Sequence, residues 1–293
     1  MGSRRPRRLS RAFQMPQPFV SLICAGRLRP WLAGAAIALG TFTARGDWQL
    51  VWSDEFNGVS IDTNHWKFEI GNHHGWGNHE LEDYTDRPEN VCVSNGVLHI
   101  IARAKPADGI FYTSARLKSQ GLFAQKYGRF EFRAKFPGGR GYWPALWLMP
   151  EHSAYGRWPA SGEIDVMENK GSNPAVVQGT LHYAGADGRH LHSTGRHTFP
   201  RNDGATNFHV YLLEWTTNTI NWYVDNHLYE TQTNWSTVKA AYPAPFNQPF
   251  YIIMNLAVGG DYGGNPDAQT VFPGEMQVDY VRVYDDVATN SVR

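Results

Sequence analysis

Acidic residues are missing from the first 46 positions of this 293-residue chain, cysteine occurs only twice, and no long stretch keeps a helical period. The missing acids leave eight arginines (Arg4, Arg5, Arg7, Arg8, Arg11, Arg27, Arg29 and Arg45) unopposed ahead of Asp47. The overall balance of 27 basic and 27 acidic residues is therefore an average over two unlike pieces. Without the leading segment, 19 basic residues face 27 acidic ones, a net charge of −8. That excludes a general nucleic-acid binder, which needs a dense Lys/Arg face against phosphates. Of the cysteines, Cys24 lies in the leading segment and Cys92 in a strand-like stretch. Loss of that segment would leave no intrachain disulfide, and Cys92 reads as a small buried hydrophobe. The apolar run over residues 31–44 is also too short for a stable membrane span, which takes about 20 residues. Ser-His-Asp signatures, phosphate loops and Cys/His zinc spacings are absent as well.

An Arg-rich start, a short apolar run and small residues after it make residues 1–46 an export signal, with Met15 as an alternative start. Residues 47–293 then form one domain, expected to be secreted, periplasmic or at the cell surface, and monomeric. From Asp47 onward, short strands alternate with Gly, Pro and Asn. Phe130, Phe132, Ala134 and Phe136 share one face by period two. Asp225-Asn226 suits a hairpin turn, and a helical turn is expected only near residues 236–241. So many strands without helices predict an all-β fold, a jelly-roll sandwich with a concave substrate cleft.

The richest stretch is Gly162-Glu-Ile-Asp-Val-Met-Glu168. On a plain strand Glu163 and Asp165 share a face while Glu168 points away; a bulge at Val166-Met167 returns it. Three crowded carboxyls separate in acidity, so that one stays protonated while another ionises. Glycoside hydrolysis needs that division of labour. A metal site or a solvated acidic face is the alternative. Trp143, Trp147 and Trp158 bracket the acids and offer flat faces for sugar stacking, though Trp147 suits a core equally well. Residues 75–80, with Asn78, form a polar rim. In a hairpin register Thr180 and His182 come near Asp165 and Glu163. His73, His74 and His79 are a weak metal-ligand candidate.

These stretches resemble glycoside hydrolase family 16, of the laminarinase (endo-β-1,3-glucanase) type. The likeness extends through Gly75-Trp-Gly-Asn-His-Glu, Tyr127-Gly-Arg-Phe-Glu-Phe, Gly141-Tyr-Trp-Pro-Ala-Leu-Trp, Asn255-Leu-Ala-Val-Gly-Gly and Val278-Asp-Tyr-Val-Arg-Val-Tyr. It implies a β-jelly roll and retaining cleavage of β-glucan, with Glu163 as nucleophile, Glu168 as acid/base and Asp165 tuning charge between them. It implies cleft roles for Trp143, Trp147, Trp158, Asn78, His182 and Asn255, and no catalytic cofactor. Glu55, Gly96 and Asp279 are the positions it suggests for a structural calcium.

Overall fold

The computed structural model describes residues 48–104 and 112–287; the export segment proposed for residues 1–46 lies outside them. The described chain begins with β1 (Trp48–Asp54), β2 (Lys67–Phe68), β3 (Glu82–Tyr84), β4 (Val91–Ser94), β5 (Val97–Ala104), β6 (Tyr112–Ser114) and β7 (Arg116–Lys118). The long strands β8 (Gly128–Lys135), β9 (Tyr142–Pro150), β10 (Glu163–Asn169), β11 (Val176–Ala184) and β12 (His190–Thr198) follow. After them come β13 (His209–Trp215), β14 (Ile220–Val224), β15 (His227–Gln232), β16 (Phe250–Val258), the one-turn helix α1 (Gly260–Gly263) and β17 (Gly274–Asp286).

These strands build two sheets. The back sheet runs β15-β14-β13-β8-β17-β5-β6-β3, with β1 on β17 and β4 on β5; the front sheet runs β12-β11-β10-β9-β16-β7-β2. Phe130, Phe132, Ala134 and Phe136 are buried in the core between the sheets, as their alternation predicts, against Leu146, Leu148, Ile164 and Met254. Each of the larger of these side chains contributes about 1.5–3 kcal/mol when fully withdrawn from water. The result is the expected jelly-roll sandwich.

Two local expectations need correction. Residues 236–241 are not helical: Thr237 bridges Ala240, and the Thr237 hydroxyl is drawn instead to the Ala160 carbonyl. Cys92 is only half-buried. Val91 and Val93 take the inward positions of β4, so alternation turns Cys92 outward, opposite His99. The hairpin at Asp225-Asn226 forms as expected, both residues having positive φ of 50° and 65°, as a type I′ turn requires.

Candidate active site

The front sheet's outer face carries a cleft of about 750 Å³ that crosses from the 76–80 loop to β12. Its centre is β10. Against β11, Asp165 pairs with Thr180 and Glu168 with Gln178, so Val166 and Met167 together oppose only Gly179. Against β9 the register also shifts between Asp165 and Met167. This is the anticipated bulge. It sends Ile164, Val166 and Met167 into the core and leaves Glu163, Asp165 and Glu168 lining the cleft. Thr180 and His182 stand opposite Asp165 and Glu163, also as the hairpin register predicts.

A bulge disrupts ladder bonding and leaves backbone groups to be satisfied elsewhere. Here the Asp165 carbonyl accepts from the indole N–H of Trp222, 2.8 Å away, which reaches across the core from β14 of the back sheet. Gly179 makes room for that indole: a Cβ there would lie 2.3 Å from Trp222 Cδ1. The bend in the catalytic strand is thus held from behind by a residue of the other layer.

The three carboxyls have different neighbours. Trp158 Nε1 donates to Glu163 Oε2 at 2.6 Å. Trp143 Nε1 and Gln178 Nε2 donate to the two oxygens of Glu168, at 2.9 and 3.2 Å. Asp165 is buried between them, with His182 Nε2 3.1 Å from its Oδ2. Burial, then the charge of Asp165, pushes Glu163 up to about 8, against the pull of His182 and Trp158. Burial and the charge of Glu168 raise Asp165 as well. Like charges this close cannot all ionise in a desolvated site, so the cluster retains a proton between Glu163 and Asp165.

A histidine wall flanks this cluster. His182 Nδ1 lies 2.8 Å from His190 Nε2, and the two rings stack with centroids 5.0 Å apart. Burial and the neighbouring imidazoles lower His190, favouring its neutral form. A neutral His190 donating from Nε2 to His182 Nδ1 places the His182 proton on Nε2, the nitrogen that faces Asp165. Trp158, exposed by half its surface, closes this side with its ring 4.6 Å from His190. On the opposite side Trp147 donates to Asn255 Oδ1 at 2.8 Å and takes the Arg116 guanidinium over its ring at 4.8 Å.

All the sequence-predicted cleft residues meet here: Trp143, Trp147, Trp158, Asn78, His182 and Asn255 line one cavity with the three acids. The 75–80 rim also contributes Glu80, whereas sequence reasoning missed Arg116, Gln178, His190, His192 and Tyr262, which line the cavity too. The other candidates disperse. His73 bonds the Ile70 carbonyl while His79 pairs with Asp261, so the loop histidines do not converge. Among the described residues only Glu163, Asp165 and His182 offer three ligand atoms within 4.8 Å of one another.

The positions suggested for calcium gather by register around Asp279, the residue left out where β17 shifts against β8. Asp54 faces Val281 and Leu98 faces Val278, which brings the segments carrying Glu55 and Gly96 alongside. Both carboxylates are already engaged. Glu55 holds Arg282 through two hydrogen bonds of 2.9 and 2.8 Å, which lower its pKa, and Asp279 holds Arg133 at 2.5 Å. The side chains therefore do not fit a cation, and nothing below depends on one.

The family model described as glycosyl hydrolases family 16 matches residues 78–282, which include the three acids and all of the cleft lining except Trp76 and Gly77. The chain belongs to glycoside hydrolase family 16. Within this family it is 47% identical to a β-glucanase of Rhodothermus marinus over 81% of this chain and 85% of that protein. It is 44% identical to glucan endo-1,3-β-glucosidase A1 of Niallia circulans over 85% of this chain, which spans 40% of that longer protein. The solved laminarinase of Rhodothermus marinus superimposes with a TM-score of 0.75 at 43% identity, over 83% of this chain and all of that one. The family 16 chain is accordingly a glycoside hydrolase.

Proposed function

We propose that this family 16 enzyme is a retaining endo-β-1,3-glucanase acting on laminarin-type polysaccharides. The observation that carries this reading is the pair of glutamates turned to one side of β10 by its bulge, each with a different set of partners. Glu163 attacks the anomeric carbon, forming a glycosyl–enzyme bond, while protonated Glu168 gives its proton to the departing glycosidic oxygen. Water then enters, Glu168 takes a proton from it, and the hydroxide displaces Glu163, returning both carboxyls to their starting forms. For the first step Glu163 must be ionised. The retained proton then sits on Asp165, while the Trp158 N–H steadies the Glu163 anion.

A groove crossing the sheet accepts the middle of a chain, which favours endo action. The β-1,3 linkage rests on relatives named for that bond, and the aromatic walls suit stacking on a sugar chain. A polymer too large to enter a cell accords with export through residues 1–46, and the enzyme is taken to act there as a monomer. The test is purified protein against laminarin, mixed-linkage β-glucan, agarose and carrageenan, with products resolved by size and anomer. Short β-anomeric oligosaccharides released from laminarin support the reading. Cleavage of agarose or carrageenan in preference to laminarin, or inverted products, would overturn it.

A further inference from the structure

One part of the cleft has no role in the cleavage steps. Residues Glu80, Glu82 and Tyr84 are two apart along β3 and its approach, share one face, and are all buried. Glu80 Oε1 accepts from Asn78 Nδ2 at 3.0 Å, and Oε2 from the Tyr84 hydroxyl at 3.1 Å. Glu82 Oε2 accepts from the backbone N–H of Val258 at 2.6 Å, while its buried Oε1 receives no donor. Neither acid forms a salt bridge among the described residues. The nearby guanidinium of Arg116 is bound to Glu69 at 2.5 Å and covers the rings of Trp76 and Trp147.

Two adjoining buried carboxyls without a cation are tolerated when one proton lies between them. The orphan Oε1 of Glu82 is the place for it: as O–H it donates to Glu80. Glu80 then remains an acceptor, and its demand fixes the direction of every bond beyond it. Tyr84 must donate to Glu80, so its lone pairs take the Asn255 amide N–H at 2.9 Å. The Asn255 carbonyl is thereby turned to the Trp147 indole N–H at 2.8 Å.

We infer that Glu80 and Glu82 act as one hydrogen-bonded pair that positions Asn255 and Trp147, and through them the sugar lying on the β16 and β7 side of the reacting glutamates. Burial first, and the Glu80 charge second, hold the Glu82 proton well above the usual carboxylate range. The groups facing the pair are few. They are Tyr84 on its own strand, Tyr112 opposite Glu82 on β6, Arg116 on β7 with Glu69 behind it, and the exposed His79–Asp261 pair on the loop side. From β16 come only the Asn255 amide and the Val258 N–H. These are positioning residues, since neither carboxyl is required to touch the reacting atoms.

The test uses the intact chain with 15N-labelled tryptophan, the Trp147 indole resonance being assigned through Trp147→Phe. Glu82→Leu, Glu80→Gln and Tyr84→Phe should each displace that resonance, whereas Glu82→Gln, whose amide N–H can replace the acid proton, should return it to the native position. Kinetics on the cleaved glucan should show KM raised about fivefold in Glu80→Gln and Tyr84→Phe, with kcat changed less than twofold, the equivalent of one hydrogen bond lost from binding. An unmoved resonance in Glu82→Leu and Tyr84→Phe, or a loss confined to kcat, would overturn the inference. The kinetic arm rests on the glucanase reading and the resonance arm needs no substrate, so the two ideas fail separately.

Discussion

Strands β10 and β16 flank β9 in the same sheet, yet they are built on opposite terms. β16 holds its register with β9 over nine consecutive pairs, from Phe250–Pro150 to Val258–Tyr142, and all nine of its residues are buried. β10 loses register with both neighbours within three residues and carries three acids. The regular strand is held by its own ladder. The irregular one is held by groups outside the ladder: an indole from the back sheet, a glycine that admits it, and donors on Glu163 and Glu168. Regularity is self-supporting, whereas a re-aimed side chain needs a second layer of structure to keep it in place.

Substitutions can separate the two strands. The largest effect is expected from Glu163→Gln or Glu168→Gln, each lowering hydrolysis by about 10³-fold or more while circular dichroism at room temperature remains native-like; full activity in either would remove the assigned roles. Next comes Gly179→Ala, whose methyl would meet Trp222 at 2.3 Å. It should cost about 1–3 kcal/mol in urea unfolding and lower kcat of the folded fraction at least tenfold. Ile252→Ala in β16 offers the contrast: a stability loss of about 2–5 kcal/mol with kcat per folded molecule nearly native. Trp222→Phe keeps most of the packing but removes the bond to the Asp165 carbonyl, for an expected loss of about 1–3 kcal/mol and a fall in kcat larger than any rise in KM. A fall in kcat equal to that of Ile252→Ala would erase the distinction between the strands.

The last effect concerns pH. Glu163 is raised from its ordinary 4.5 to about 8, so the folded state binds its proton more tightly than the unfolded chain does. The native state is then penalised progressively as pH rises from about 4.5 to about 8, and most fully above that window. Glu163→Gln removes the penalty. The melting temperature of the variant should exceed that of the native enzyme by more at pH 8.5 than at pH 4, as read by calorimetry. A constant difference would show that the charge is not what burial opposes.

The catalytic strand was legible because its chemistry is local. Three acids within six residues, at a spacing incompatible with one face of a flat strand, implied the bulge, and the turn after it implied the register of Thr180 and His182. Trp143 and Trp158 could be placed from neighbouring sequence for the same reason. His190, His192, Gln178 and Arg116 could not, since they reach the cleft only through pairing across strands. Trp222 and Tyr84 lay further out of view. A tryptophan in an apolar strand reads as core, and nothing local reveals that its nitrogen meets a bent carbonyl in the opposite sheet. The turn near residues 236–241 misled because its composition permits a helix, while Thr237 finds its partner at Ala160, 77 residues away.

The Trp222 crossing also ties catalysis to the thickness of the sandwich. The distance between the layers is set by residues such as Phe132 and Leu213, far from any sugar. A change there that spreads the sheets by a fraction of an ångström pulls on the Asp165 carbonyl and tilts the acids beside it. Efforts to harden this protein by refilling its core will therefore act on turnover as well as on melting, and selection for turnover will have constrained residues that no substrate meets.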